Sequence, residues 1–171
     1  MRLLIVLALC VGLGAATAQA FSNEPNGFGP LRFGMSAAAV EKALPAVHRK
    51  GTEEFLTIST AENQSVLGLK PCSLELHFVD DKLYEISFRC APKDKVVAKL
   101  EKQFGAPNQH GPGGTVWLSE ARTVTLIPQS NVFTFADRPL SIIAQQKLLT
   151  YVLTHQPQAQ PTAAPSPPPT P

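Results

Sequence analysis

Residues 72–90, with the sequence CSLELHFVDDKLYEISFRC, decide the fold. Apolar and polar residues alternate on both sides of an acidic pair, which is the pattern of two β-strands joined by a tight turn. If residues 80–82 form a three-residue loop, Phe78 pairs with Tyr84, and eight side chains share one face of the hairpin. These eight are Cys72, Leu74, Leu76, Phe78, Tyr84, Ile86, Phe88 and Cys90.

The opposite side of this hairpin, here called the polar hairpin face, consists of Ser73, Glu75, His77, Glu85, Ser87 and Arg89. His77 stands opposite Glu85, as either a general acid–base pair or an ordinary cross-strand pair. The sequence shows no nucleophile or third group beside them, so the cross-strand pair is favoured and no catalytic residue is predicted. We expect Glu75, His77, Glu85 and Arg89 to form the candidate binding surface.

Cys72 and Cys90 are predicted to form a disulfide. Residues 1–20 have the charged start, apolar core and small-residue cleavage site of a signal peptide, so Cys10 is removed with them. An even number of cysteines in an exported chain favours a disulfide. By closing a short loop, this disulfide would stabilise the fold by roughly 3 kcal/mol. No metal or cofactor is predicted, because the cysteine spacing does not match a zinc pattern and His77 lies on the other face.

The chain divides into four segments. Residues 1–20 are the signal peptide, 21–27 a short N-terminal extension, 28–155 a single domain and 156–171 a tail. Seven of the sixteen tail residues are proline and none is charged, so the tail is expected to be disordered. The signal peptide predicts a periplasmic or secreted protein.

The composition argues against two classes of partner. Fifteen basic and thirteen acidic residues leave the chain close to neutral, without a basic stripe interleaved with aromatic residues, so nucleic acid is not indicated. After the signal peptide, no apolar run is long enough to span a membrane. The sequence does not determine the oligomeric state.

Three helices are predicted from their end signals and apolar spacing. Ser36 is the N-cap of a helix that stops near Pro45, and Gly105 terminates a second helix. Asp137 caps the third helix, which covers residues 139–154. Its apolar arc is wider than one sheet face requires, so the helix is either buried on two sides, which we favour, or meets a partner.

The remaining strands complete the predicted fold. Residues 115–127 form a second hairpin, which pairs Trp117 with Val124 if its loop has four residues, and residues 131–136 form a further strand. The order helix, hairpin, helix, hairpin predicts an α+β, two-layer domain. Its antiparallel sheet is built from repeated helix–hairpin units, with the helices packed on one face.

Three short motifs resemble those of small bacterial envelope domains of the SmpA/OmlA (BamE-like) type and their duplicated β-lactamase-inhibitor-protein-like relatives. The motifs are FGMS at 33–36, LHFVDDKLYEI at 76–86, and FGAP at 104–107 followed by Trp117. The resemblance covers about residues 28–127. It implies a periplasmic domain of helices on a sheet that interacts with other molecules, rather than an enzyme.

Two functions are compatible with these observations. The favoured one is an exported, non-enzymatic module that binds a protein or another component of the cell envelope. The alternative is a small periplasmic hydrolase or ligand-binding protein with its site on the polar hairpin face. A protein partner in the envelope is expected in the first case.

The tail generates one prediction. Truncation after His155 should leave the melting temperature of the domain unchanged, because the tail offers no large apolar side chain to bury. Thermal unfolding of the two chain lengths, followed by circular dichroism, measures this. A clear drop in the melting temperature of the shortened chain would show that the tail docks on the domain.

Overall fold

The computed structural model describes residues 23–90, 93–111, 114–127 and 132–155. The predicted signal peptide, residues 1–20, and the predicted tail, residues 156–171, lie outside the described residues. Both remain predictions.

The described ranges contain three helices and ten strands. The helices are α1 (Ala37–Ala43), α2 (Lys93–Phe104) and α3 (Arg138–His155). The strands are β1 (Gly27–Phe28), β2 (Leu31–Arg32), β3 (His48–Glu53), β4 (Leu56–Val66), β5 (Leu69–Val79), β6 (Lys82–Cys90), β7 (Gln109–Gly111), β8 (Gly114–Leu118), β9 (Arg122–Ile127) and β10 (Val132–Asp137).

The architecture is mostly β, and the predicted fold class is therefore wrong. Within the described residues, eight strands form one antiparallel sheet in the order β3-β4-β5-β6-β10-β9-β8-β7, and β1 pairs with β2 separately. Strands β3 to β6 follow one another as a meander, and β10 pairs with both β6 and β9. The chain is thus not a repeat of helix–hairpin units.

The difference lies in residues 46–71, whose sequence carries only a weak strand signal. Strand β4 has the polar sequence LTISTAENQSV, which lacks regular apolar alternation. It forms a strand because its backbone is hydrogen-bonded to that of β5. The register of this pairing shifts after Ala61 and again after Gln64. Pairing with a neighbour, rather than local preference, decides this part of the fold.

The sheet is covered on both faces, whereas the sequence predicted all helices on one. On the first face, the apolar core includes Val40 of α1 and Leu100 and Phe104 of α2. The centroid of the Phe104 ring lies 5.6 Å from that of the Phe135 ring. On the second face, the buried Ala144 of α3 lies over the polar side of β6, β9 and β10.

The position of α3 follows from the end of β10. Asp137 is the last residue of β10, and its Oδ1 accepts a hydrogen bond from Leu140 N at 3.0 Å, which confirms the predicted cap. Its Oδ2 accepts from Arg122 Nη1 at 2.8 Å, and Arg138 N donates to Ala121 O at 3.0 Å. These contacts direct the helix across the second face as soon as the strand ends.

Several local predictions are confirmed. Ser36 accepts a hydrogen bond from Ala39 N at 3.2 Å and caps α1. Gly105 has a φ of 78° and ends α2, and its carbonyl accepts a hydrogen bond from Trp117 Nε1 at 2.8 Å. Trp117 pairs with Val124, so the second hairpin has the four-residue loop.

The central hairpin, β5–β6, is confirmed in most of its register. Cys72 pairs with Cys90, and their sulfur atoms are 1.98 Å apart, which confirms the disulfide. Near the turn the prediction is wrong, because Phe78 pairs with Leu83 and Tyr84 is an extra residue, a β-bulge. Leu83 is therefore in the core, and Tyr84 lies on the second face.

The sequence favoured a helix α3 that is buried on two sides, and this prediction is wrong. Six large apolar side chains of this helix are between 40% and 65% exposed: Ile142, Ile143, Leu148, Leu149, Val152 and Leu153. The reason is geometric, since the sheet continues beneath α3 and no other described element lies above it.

The bulge can be tested by a substitution in the turn region. Leu83→Ala should lower the free energy of unfolding by about 2–5 kcal/mol, because it leaves a cavity in a fully buried position. The matched change Leu148→Ala, at an exposed position, should cost no more than about 0.5 kcal/mol. Urea unfolding of both variants measures the difference. Without the bulge, Leu83 would face away from the core and the two losses would be alike.

Candidate functional site: a groove between α3 and the sheet

A groove of about 560 Å³ lies between α3 and the second face of the sheet. We call it the α3 groove. Its lining residues are Leu56, Tyr84, Glu85, Thr123, Thr125, Thr134, Ala136, Arg138, Ser141, Ile142, Ala144, Gln145 and Leu148. The floor comes from the strands and the wall comes from the helix.

The floor is polar because strand residues alternate between the two faces. Phe133 and Phe135 are buried in the core, so Thr134 between them projects to the second face. Ser87, Thr134 and Thr125 face one another across β6, β10 and β9. A row of hydroxyl groups therefore crosses the sheet, and Thr134 and Thr125 of this row lie on the groove floor.

Part of this row is already hydrogen-bonded. Ser87 Oγ donates to Glu85 Oε1 at 3.3 Å and lies 2.9 Å from Thr134 Oγ1. Since the single Ser87 proton is directed at the carboxylate, Thr134 is the donor of the second bond. The chain of hydrogen bonds ends on Glu85, whose carboxylate is held at the edge of the groove.

Other polar groups of the floor have no partner among the described residues. The hydroxyls of Thr123, Thr125 and Tyr84 make no hydrogen bond there. Tyr84 is half-buried, and this burial, together with the negative charge of Glu85, raises its pKa to about 12. A partly desolvated phenol that stays protonated is ready to donate a hydrogen bond to a bound molecule.

The helical wall is mainly apolar. Ile142 and Leu148 face the groove, and Gln145 adds an amide between them. Arg138, at the N-terminal end of α3, donates a short hydrogen bond to the carbonyl of Ser119. The groove therefore combines an apolar wall, a hydroxyl-rich floor, one carboxylate and one anchored guanidinium.

A second, smaller recess of about 350 Å³ lies farther along the polar hairpin face. Glu75 and Arg89 line it, together with Lys50 from the edge strand β3. Lys50 Nζ is 3.6 Å from Glu75 Oε2, and both side chains are substantially exposed, so this ion pair adds little stability.

The four candidate residues from the sequence are thus divided between two recesses. Glu85 lines the α3 groove, whereas Glu75 and Arg89 line the second recess. His77 lies between them, with its Nε2 atom 2.9 Å from Glu75 Oε1 and 4.0 Å from Glu85 Oε1. The geometry brings the histidine closer to Glu75, on its own strand, than to the residue opposite.

This cluster does not form a metal site. Over the described ranges, no group of three histidine, cysteine or acidic side chains is arranged to hold a metal ion. The alternative of a hydrolase or ligand-binding site on this face stays a prediction.

Sequence reasoning missed most of the α3 groove. The predicted register contains no bulge and therefore places Tyr84 on the apolar face of the hairpin, away from the groove. Thr123 and Thr125, by contrast, alternate with buried apolar residues, and Thr134 does the same. That alternation is a signal for a second, polar face across two strands, although it does not show that a helix covers that face.

Comparison with protein-family models, curated proteins and solved structures finds no match to this chain. The resemblance to BamE-like envelope domains therefore stays a prediction from short motifs. Among the helices that the structure describes, none has the length and apolar character needed to cross a membrane.

The raised pKa of Tyr84 predicts a high-pH transition. The native state favours the neutral phenol, so its contribution to stability is complete below pH 10 and is lost as the pH rises from 10 to about 12. Phenolate absorbance of the native protein should show a step near pH 12 that is absent in Tyr84→Phe. The chain has only two tyrosines, so Tyr151→Phe is the matched control and should retain this step.

A Tyr84-dependent step near pH 10 would contradict this assignment. It would mean that the phenol is fully solvated and is not held in the groove.

Proposed function

We propose that the protein is an exported, non-enzymatic binding module that holds a polypeptide segment of an envelope protein in the α3 groove. The observation that carries the proposal is the set of polar groups without partners on the groove floor, at Thr123, Thr125 and Tyr84. Half-buried hydroxyls gain most from a ligand that supplies both donors and acceptors. An extended peptide backbone does this at every residue.

The apolar wall supports a polypeptide rather than a small ion. Ile142 and Leu148 offer contact to alternate side chains of an extended segment, while its backbone faces the hydroxyl row. Glu85 and Arg138 carry opposite charges at the groove and would select the direction and flanking charges of the segment.

The chemistry of the lining favours binding over catalysis. Among the described residues that line the α3 groove there is neither histidine nor cysteine, and the one carboxylate, Glu85, is linked to Thr134 only through Ser87. A hydroxyl at its ordinary pKa is a weak nucleophile unless a neighbouring base accepts its proton. The proposal therefore places recognition, and not turnover, in this groove.

Export is the second part of the proposal, and it rests on the sequence. The predicted signal peptide and the Cys72–Cys90 disulfide both fit an oxidising compartment. The resemblance to envelope domains agrees with this location.

Site-specific photo-crosslinking tests the proposal. A photoreactive phenylalanine analogue at Leu148, in the wall, should give adducts with an envelope polypeptide when the protein is exported by its own cells. The same analogue at Thr52, on the edge strand β3, is the matched control and should give none of these adducts.

Conservative substitutions on the groove floor then test whether formation of the adduct depends on the groove. Adding Tyr84→Phe and Thr125→Val to the Leu148 probe removes two hydroxyls with little change of shape and should reduce the yield at least tenfold. No adduct at Leu148, or a yield that is insensitive to the loss of both hydroxyls, would overturn the proposal.

A further inference from the structure

The outward side of α3 carries an apolar stripe that borders the groove at one residue, Ile142. It consists of Ile142, Gln146, Leu149 and Leu153, here called the outer stripe. Its leucine and isoleucine side chains are 49%, 61% and 65% exposed in chain order, while Ala144, about half a helical turn away, is buried. Contiguous exposed apolar surface of this kind marks interaction sites.

The spacing of the outer stripe is that of a helix that packs against another helix. Its members are separated by four, three and four residues, which is the alternation of the a and d positions of a heptad repeat. Continued toward the N-terminus, the same spacing reaches Pro139, the second residue of α3. The stripe thus runs along most of the helix as a straight seam, of the kind that packs side by side with a second helix.

The charges of α3 favour an identical helix as the partner. The positions that flank the seam are uncharged: Ile143, Gln145, Thr150 and Val152. The two cations of the helix are engaged elsewhere, since Lys147 Nζ is 2.6 Å from Asp80 Oδ1 and Arg138 donates to Ser119 O. A neutral seam has nothing to attract an anionic membrane or a charged partner, and it meets an identical copy of itself without repulsion.

We propose that α3 pairs with α3 of a second copy of this chain, parallel and in register. The orientation follows from Gln146, the single polar member of the outer stripe. In a parallel pair it faces its own counterpart, and each side-chain amide supplies both a donor and an acceptor. In an antiparallel pair it would face an apolar residue of the seam and lose its hydrogen bonds.

The pairing is tested at residues outside the peptide-binding groove, since neither Leu149 nor Leu153 lines it. Of the outer stripe, only Ile142 also lines the α3 groove, which opens on a different side of the helix. The two proposals can therefore fail separately.

Sedimentation equilibrium of the purified exported protein tests the pairing. The wild-type protein should have the mass of two chains at micromolar concentration. The double change Leu149→Asp and Leu153→Asp should give a single chain, with a dissociation constant raised at least a hundredfold. Thr154→Asp, also exposed on α3 but outside the stripe, is the matched control and should remain paired.

The folding of the Asp variant is checked by its thermal transition, which should persist, because both replaced side chains are exposed. If that variant fails to fold, Leu149→Gln with Leu153→Gln replaces it with the same expected loss of pairing. A monomeric wild-type protein, or pairing that survives a folded stripe variant, would overturn the proposal.

A cysteine at position 146 tests the parallel register. Gln146→Cys should form an interchain disulfide under mild oxidation, because facing seam positions of a parallel pair lie within disulfide reach. Thr154→Cys should not form one. A wild-type dimer whose Gln146→Cys variant resists cross-linking would overturn the parallel, in-register arrangement.

Discussion

The turn at Asp80 and Asp81 is the constraint on which the rest of the structure depends. Both residues have positive φ angles, 48° and 58°, which aspartate tolerates better than most residues and which a two-residue hairpin turn requires. Asp81 Oδ1 accepts a hydrogen bond from Ala37 N at 2.9 Å at the start of α1, on the first face of the sheet. Asp80 pairs with Lys147 of α3, on the second face. One turn thus contacts a helix on each side of the sheet.

The two contacts of this turn differ in what they contribute. The Asp80–Lys147 pair is close to half exposed on both sides, so it orients α3 more than it stabilises the fold. The bond from Asp81 to α1 satisfies a backbone N–H that the helix itself cannot satisfy. Leu83, just after the turn, adds backbone hydrogen bonds to Gly34 and Met35 at 2.8 and 2.9 Å. The two-residue turn also shifts the strand pairing by one residue, and the resulting bulge gives the groove its tyrosine.

The candidate site shows where sequence reasoning stops. His77, Glu85 and their neighbours on β5 and β6 were found because they lie in one hairpin, where alternation alone assigns the faces. The threonines of β9 and β10 were not connected with them, because their distance along the chain hides their adjacency in the sheet. The wall could not be predicted at all, because it depends on which side of the sheet α3 crosses. That choice is made by Asp137, Arg122 and the backbone of Ala121, which meet only after β10 has paired with β9.

By itself, the sequence determined the features that arise from neighbouring residues. These were the caps at Ser36 and Asp137, the stop at Gly105, the two hairpins and the pairing of Cys72 with Cys90. Only the tertiary structure decided the eight-stranded order, the bulge at Tyr84, and the placement of α3 on the second face with its apolar stripe outward. Local signals depend on side-chain shape and backbone preference within a few residues. Strand order and helix placement depend instead on hydrogen bonds and packing between segments far apart in the chain, which no local pattern encodes.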